Sequence, residues 1–205
     1  MRRLESERLF LEPVTCDNAD TLWQIMQAAD LRDYQDVPRY TREAFRERVA
    51  SRPTQLNARS TGRFEWLIRP RDGDACIGWV SLRTGEHGSS TAELGYSLVR
   101  AARGCGYATE AVWLVCEEAF SSTSLRRIEA ACVVENEASR RVLLRLGFMR
   151  IRLQRNGAVV RGRAVDILIF QMEGQHWKRV RETVGKLDAR SSVSTIRRAR
   201  AVTPR

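Results

Sequence analysis

The stretch RAARGCGYATEAV, residues 100–112, decides the predicted fold. It follows an alternating apolar segment that ends at Val99, which is typical of a strand. It opens a long run with apolar residues at helical spacing, roughly 107–121. Gly104 and Gly106 permit backbone torsions that residues with a β-carbon rarely adopt. The pattern therefore predicts a strand, a glycine-rich bend and a helix in direct succession.

The predicted bend has the features of an anion site. The N–H groups of the first helical turn and the positive end of the helix dipole point towards it. Arg103 adds a fixed positive charge, so a pyrophosphate would be bound well there. A tight turn that binds nothing has the same sequence, and the loop alone leaves both interpretations open. A dinucleotide fingerprint is rejected because its sixth position is Thr109 and the loop follows several hairpin-like strands.

The sequence on either side predicts an α/β domain. The expected order is a strand, two helices, three strands, a helix, a strand, a helix and two strands. A meander followed by β–α–β crossing predicts a mixed, mostly antiparallel central sheet of about six or seven strands flanked by helices. The strands are expected at 8–14, 63–70, 75–84, 91–99, 126–134, 148–154 and 163–173, with a loop at 156–162 between the last two.

Length and charge indicate one domain followed by a basic tail. The 205 residues, 43% of them hydrophobic, suit a single core better than two. Residues 178–205 hold nine Lys and Arg against two acidic residues, which accounts for +7 of the total charge of +10. We therefore divide the chain into a domain of residues 1–177 and a helical or disordered tail of residues 178–205. The tail is either a solubilising extension or a weak RNA contact.

Several classes of protein are excluded by composition. No run approaches the ~20 apolar residues of a membrane helix, and charges interrupt the apolar N-terminal stretch that a signal peptide would need. The five cysteines and two histidines are scattered singly, so no metal site is expected. A cytoplasmic protein with reduced thiols is the resulting expectation.

Four motifs, two of which overlap, resemble those of the GNAT superfamily of acyl-CoA-dependent N-acyltransferases. Arg103-x-x-Gly106-x-Ala108 is similar to its R/Q-x-x-G-x-G/A element. The segments GYATEA (106–111), ENEASRRVLLRLGF (135–148) and AELGY (92–96) resemble the branch that contains the ribosomal-protein N-terminal acetyltransferases. The resemblance as a whole runs from about residue 7 to residue 173, with the motifs in the family's order. The resemblance implies the mixed sheet described above, acetyl-CoA as acyl donor without a metal, and transfer to a primary amine.

The resemblance also implies which residues bind the donor. The strands ending near Val99 and starting near Arg126 would splay apart, with the pantetheine arm between them. The Leu98 and Val99 amides would bind the oxyanion. Asn136 would contact the pantetheine arm, although Asn is also a common helix N-cap. The pyrophosphate would lie on the bend formed by Arg103, Gly104, Cys105, Gly106, Tyr107, Ala108 and Thr109.

Two side chains are candidates for the chemistry. Glu93, on the central strand, is the expected base, since a partly desolvated carboxylate can accept the proton of the amine. The alternatives are a solvated strand residue without a catalytic role, or a residue that only orients a water. Many relatives have a tyrosine seven residues after the Asn as acid, but Leu143 stands there. Ser139 is then expected to protonate or hydrogen-bond the leaving thiolate, unless it only bonds its own backbone.

The acceptor is less defined by the sequence. If the family geometry holds, the segment 30–40 lines the acceptor side. Asp30, Asp33 and Asp36 could attract a cationic amine and Tyr34 and Tyr40 could stack on it, or the segment is a solvated loop. Acceptors in this branch include protein N-termini, polyamine-like amines and antibiotics. A protein or peptide N-terminus is the leading hypothesis, a small-molecule amine the second, and a non-catalytic acyl-CoA-binding or RNA-associated module the third.

Overall fold

The computed structural model describes residues 1–36, 39–85 and 90–188; for Asp30, Arg32 and residues 185–188 it describes the backbone only. The N-terminal half contains β1 (Leu4–Glu5), β2 (Leu9–Pro13), α1 (Ala19–Met26), α2 (Arg42–Ala50), β3 (Gly62–Pro70), β4 (Gly78–Thr84) and β5 (Thr91–Leu98). Short 3₁₀ turns lie at Ala29–Asp33 and Arg100–Ala102. The C-terminal half contains α3 (Tyr107–Ser122), β6 (Arg127–Val133), α4 (Glu137–Arg145), β7 (Met149–Val160), β8 (Arg163–Glu173) and α5 (Gly174–Asp188).

The strands form one eight-stranded sheet in the order β1-β2-β3-β4-β5-β6-β8-β7. Its neighbouring strands are antiparallel except for β5 and β6, which are parallel. The expected mixed, mostly antiparallel sheet is confirmed, and the seven expected strands are all present. The eighth, β1, has two residues and pairs with β2 at the sheet edge. A strand this short has too few residues to show an alternating pattern.

The predicted loop at 156–162 is wrong. β7 continues to Val160, and the turn to β8 consists only of Arg161 and Gly162, both with positive φ. The strand contains a register shift between Gln154 and Ala158, and Asn156 within it has a φ of 48°. The backbone N–H of Asn156 donates to Asp166 Oδ1 at 2.8 Å. An Asn-Gly pair that normally signals a turn is here accommodated in a bulge.

The one parallel pair separates partway along its length. β5 and β6 are in register only from Thr91 to Leu94 and from Arg127 to Ala130. β5 continues to Leu98 and β6 to Val133, so both strands run on without pairing to each other. The expected splay between these strands is therefore present. It leaves an opening in the middle of the sheet, beside the bend that precedes α3.

Helices cover the two faces of the sheet. The larger core packs α3, α4 and α5 against one face, and it includes Trp66, Leu94, Val112, Leu143 and Trp177. A smaller core packs α1 and α2 against the opposite face, around Leu22, Phe45, Leu67 and Trp79. Neighbouring residues such as Trp66 and Leu67 belong to different cores because side chains alternate along a strand.

The C-terminal helix α5 runs across the predicted boundary between residues 177 and 178. Trp177 is 2% exposed and its ring lies 4.5 Å from that of Trp113, measured between centroids. Arg181, beyond the boundary, pairs with Glu117 of α3 at 2.6 Å. The described part of the predicted tail, residues 178–188, is thus helical, and residues 189–205 lie outside the described residues. Among the described helices, none combines the length and apolar character needed to cross a membrane.

Candidate active site

The bend before α3 has the backbone conformation that its glycines predict. Gly104 and Gly106 have φ values of 82° and 84°, in the left-handed region that other residues avoid. No atom of the described chain lies within 4 Å of a β-carbon built on Gly104, apart from its immediate neighbours. The bend therefore opens outward, and the first N–H groups of α3, which have no acceptor within the helix, face a region that a ligand can enter.

Arg8 and Glu110 support this bend, and the sequence did not reveal them. Arg8 Nη1 donates to the Cys105 carbonyl at 3.0 Å, and Arg8 Nε donates to Glu110 Oε2 at 2.8 Å. Its guanidinium also lies 5.1 Å from the centre of the Tyr107 ring. Glu110, 7% exposed, accepts a further hydrogen bond from Ser6 at 2.6 Å. The conspicuous signal was an acid in the first turn of α3, within GYATEA, but its partner is about a hundred residues away.

Arg103 lies at the bend as expected, and its contacts extend to the acceptor side. Its Nε donates to the Leu98 carbonyl at 3.0 Å, and Nη1 lies 4.0 Å from Asp33 Oδ2. Asp33 also pairs with Arg100 at 3.2 Å and with Arg161 at 2.6 Å. The carboxylate that was expected to attract an amine is therefore surrounded by arginines and bridges three segments of the chain.

The remaining aromatic and acidic residues of segment 30–40 are spread apart. Tyr34 is 42% exposed. Tyr40 packs on Phe45 and under the guanidinium of Arg48. The side chain of Asp30 and residues 37 and 38 lie outside the described part of the chain. Within the described residues, Tyr34 and Tyr40 thus do not form a ring contact that could stack on an amine.

The prediction that both Leu98 and Val99 offer amides to an oxyanion needs correction. The Val99 N–H donates to the Ile77 carbonyl at 2.9 Å. N–H groups alternate between the two sides of a strand, so the Leu98 and Tyr96 N–H groups point away from β4, towards the splay. The Leu98 N–H therefore remains a candidate donor to the oxyanion, and the Val99 N–H does not. The Tyr96 N–H is an additional candidate.

Glu93 lies in the paired half of β5 and is solvated, which agrees with the second of the two interpretations of this residue. Its side chain is 63% exposed and accepts from Arg83 Nη2 at 2.5 Å. Arg83 is its register partner on β4, and Glu129 is its register partner on β6. An arginine placed opposite on the neighbouring strand keeps this carboxylate paired at the surface.

Ser139 and Asn136 lie at the start of α4, beside the splay. The Asn136 side chain accepts from the Ser139 amide at 3.0 Å, so it caps the helix. The Ser139 hydroxyl lies 2.8 Å from the Tyr96 hydroxyl of β5. Leu143 is 1% exposed and belongs to the main core. The side chain that replaces the tyrosine of many relatives therefore provides packing and no proton donor.

The other predicted residues of the bend differ in exposure. Cys105 is exposed, and Tyr107 and Ala108 are partly buried. Thr109 is buried, and within the described ranges its Oγ1 is the one buried side-chain oxygen or nitrogen without a hydrogen-bond partner. An unsatisfied hydroxyl in the first turn of α3 adds a polar group beside the amides of the bend.

A model of the acetyltransferase (GNAT) domain family matches residues 8–149, more than two thirds of the chain. The match includes β5, the bend, α3, the splayed strands and α4. The chain belongs to the GNAT acetyltransferase family. It is an acetyl-CoA-dependent N-acetyltransferase.

Individual relatives agree with this assignment. An uncharacterized N-acetyltransferase of Bacillus licheniformis is 28% identical over 173 residues, covering 84% of this chain and 96% of that one. The ribosomal-protein-S5-alanine acetyltransferase of Vibrio fischeri has a TM-score of 0.73 at 21% identity, and the match covers 86% of this chain and 99% of that one. A ribosomal L7/L12 alpha-N-protein acetyltransferase in complex with coenzyme A has a TM-score of 0.70 at 19% identity, covering 84% and 98%. At these identities the two structures establish the fold alone.

The residues present in this GNAT chain fit acetyl-CoA. The outward-facing bend and the first turn of α3 offer amides of suitable geometry for a pyrophosphate. The separation of β5 from β6 offers unpaired strand edges for the amide groups of a pantetheine arm. Within the described ranges, no three His, Cys, Asp or Glu side chains are grouped so that they could hold a metal ion.

Proposed function

We propose that this N-acetyltransferase modifies the N-terminal amine of a protein or peptide, as the ribosomal-protein enzymes do. The observation that supports it best is an open polar row on the face of the sheet opposite α3. Register places Arg63, Arg83, Glu93 and Glu129 side by side across four strands. The side chains of the first three are 47%, 58% and 63% exposed. An open row with two arginines at one end and two glutamates at the other suits an extended polypeptide better than a small amine, which is usually enclosed.

The named functions of two structural neighbours support the same proposal. They are acetyltransferases of a ribosomal protein's alanine and of the L7/L12 α-amine. The motifs AELGY and ENEASRRVLLRLGF resemble the same branch. Together with the open row, they favour a ribosomal-protein type of acceptor.

The proposed chemistry assigns one task to each of three groups. Acetyl-CoA supplies a thioester, which a neutral amine attacks directly. Glu93 accepts the proton of the amine, either directly or through a water. The Leu98 N–H donates to the oxygen that gains negative charge, and Ser139 hydrogen-bonds the departing sulfur. Asn136 keeps the start of α4, and with it Ser139, beside the splay.

Release of thiol from acetyl-CoA with a panel of amines tests the acceptor class. The panel contains peptides with the N-terminal sequences of ribosomal proteins, the same peptides with blocked N-termini, a polyamine and an aminoglycoside. We expect free peptides to be acetylated with kcat/KM at least about a hundredfold above the other amines, a difference of about 2.7 kcal/mol in transition-state binding.

Blocked peptides control for side-chain acetylation, because they keep every lysine and lose only the α-amine. Equal rates with free and blocked peptides would contradict an N-terminal acceptor. Faster turnover of the polyamine or the aminoglycoside would favour a small-molecule enzyme instead. Coenzyme A binding without turnover of any amine would favour a non-catalytic binding module.

A further inference from the structure

Three side chains from different elements meet where β5 and β6 separate. Tyr96 comes from β5, Cys132 from β6 and Ser139 from the first turn of α4. The Tyr96 and Ser139 hydroxyls are 2.8 Å apart, and the Tyr96 hydroxyl can also donate a longer hydrogen bond, of 3.2 Å, to the Ser139 carbonyl. Cys132 lies near enough for the Ser139 hydroxyl to lower the pKa of its thiol. The serine hydroxyl is therefore hydrogen-bonded to a phenol and has a cysteine in its neighbourhood.

This arrangement favours one direction for the hydrogen bonds. Each of the two hydroxyls, of Tyr96 and of Ser139, has one proton to donate. A thiol sulfur is only a weak hydrogen-bond donor and acceptor. If the Ser139 hydroxyl donates its proton towards the sulfur of coenzyme A, its 2.8 Å contact with Tyr96 needs the phenol proton, which then points at the hydroxyl and not at the more distant Ser139 carbonyl. Burial raises the pKa of the Tyr96 phenol, so the phenol keeps its proton through the neutral and mildly alkaline range. Burial also raises the pKa of the Cys132 thiol, and the Ser139 hydrogen bond opposes that rise.

The location of the pair connects it with the acyl donor. Tyr96 lies in the part of β5 that no longer pairs with β6, two residues before Leu98. Leu143, where many relatives have a tyrosine, is buried in the core and has no polar atom to offer. The phenol that contacts Ser139 therefore comes from β5, whereas Ser139 belongs to α4, which follows β6.

We propose that Tyr96 is a positioning residue: its phenol donates to Ser139 and thereby directs the Ser139 hydroxyl at the sulfur of coenzyme A. This inference rests on the role proposed for Ser139 above. When the thioester C–S bond breaks, the electron pair leaves on sulfur, and the hydroxyl stabilises the thiolate by a hydrogen bond without giving up its proton. Donation from Tyr96 polarises that hydroxyl and strengthens its bond to the thiolate.

The thiol of bound coenzyme A reports this hydrogen bond without any acceptor. Thiolate absorbance is titrated in the ultraviolet for coenzyme A bound to the full chain, with desulfo-coenzyme A as the baseline that removes the protein's own cysteines. We expect the bound thiol to titrate about one pH unit lower in the wild type than in Ser139→Ala, and most of that shift to be lost in Tyr96→Phe. An equal thiol titration in wild type and Tyr96→Phe would overturn the inference.

Kinetics with the best acceptor of the panel give a second reading. We expect Tyr96→Phe to lower kcat about threefold to tenfold and Ser139→Ala about 10- to 100-fold, with KM for acetyl-CoA within about twofold of wild type. In the Ser139→Ala background, adding Tyr96→Phe should lower kcat by less than about twofold. Thr84→Val is the matched control, since it removes a buried hydroxyl of β4 away from the splay and should leave kcat unchanged.

The outcomes separate the two proposals. A shifted thiol titration in a protein that acetylates no amine would support the Tyr96 inference and sink the proposed acceptor class. An equal loss from Tyr96→Phe in both backgrounds, or a weaker coenzyme A affinity with kcat intact, would mean that the phenol only lines the opening. Full activity and an unshifted thiol in Ser139→Ala would remove the serine's role and this inference together.

Discussion

At the scale of single residues, two glutamates on the same face of the sheet have opposite surroundings. Glu65 on β3 is 3% exposed and bound by Arg52 and Arg63. Glu93 on β5 is 63% exposed and bound only by Arg83 among the described residues. A buried carboxylate with two arginines is held in place, whereas a surface pair is weak and exchanges readily with water or another cation. Of the two glutamates, Glu93 is therefore the one whose arginine partner can be replaced by an incoming ammonium group.

Replacing this carboxylate tests its role as base. We expect Glu93→Gln to lower kcat/KM for a peptide amine about a hundredfold near pH 7, where the amine is mostly protonated. The deficit should shrink above about pH 8, because the α-amine then loses its proton without help. The measurement is the pH profile of thiol release.

The register neighbour on β6 provides the control for Glu93. Glu129→Gln removes the same charge from the next strand of the polar row; it should raise KM for the peptide by at most about threefold, to the same extent at every pH, and leave kcat unchanged. Similar losses in both variants would indicate that the surface potential attracts the amine. An unchanged profile in Glu93→Gln would leave water as the base.

At the scale of elements, the bend and α3 act as one unit. The helix begins at Tyr107 behind a left-handed Gly106, and Arg8 connects the Cys105 carbonyl to Glu110 in the first turn. Through Arg8, the N-terminal segment thus fixes the first turn of α3 on one side. The other side of the bend, at Gly104, stays open to a ligand. The anion-binding geometry depends on backbone conformation, so a substitution that changes no charge can disturb it.

Gly106→Ala is expected to weaken coenzyme A binding about tenfold, since a left-handed conformation costs a residue with a β-carbon about 1–2 kcal/mol. Calorimetric titration with coenzyme A measures the effect. Gly73→Ala is the control: that glycine, in the β3–β4 turn, has open space around it and no positive φ. Equal affinities in the two variants would show that the left-handed bend is not needed for binding.

At the scale of the whole molecule, the C-terminal helix belongs to the packed body of the protein. Trp177 lies between Trp113 and Phe120 of α3, and its indole nitrogen donates to Glu117 at 3.1 Å. The predicted division at residue 177 thus falls inside a helix whose two parts both contact α3. The division into a domain and a tail remains a prediction, and contacts beyond Arg181 will decide where any tail begins.

Trp177→Ala tests how far α5 contributes to the fold. Removing a fully buried tryptophan should lower the free energy of unfolding by about 3–5 kcal/mol, measured by chemical denaturation. Leu144→Ala, at a side chain that is 56% exposed, should change it by less than about 0.5 kcal/mol. A loss below about 1 kcal/mol in Trp177→Ala would mean that α5 only rests on the surface.

The sequence predicted the element order, the sheet class and the glycine bend because these depend on local patterns. Alternation marks strands, helical spacing marks helices, and Gly104 and Gly106 are residues that tolerate positive φ. It misjudged the stretch at 156–162, where Asn156 and Gly157 resemble a hairpin turn. Pairing with β8 absorbs them in a bulge, and that pairing involves residues on another strand.

The features of the candidate site likewise fall into those that local sequence predicted and those that it did not. The positions of Ser139, Asn136 and the bend follow from motifs that lie within single elements. The exposure of Glu93, the engagement of the Val99 amide by Ile77 and the Tyr96–Ser139 contact depend on neighbouring strands and on a helix that is distant in sequence. By itself the sequence determined which elements form and which carry the motifs. Only the tertiary structure decided which groups are paired, since a partner's distance in space is not encoded in local spacing.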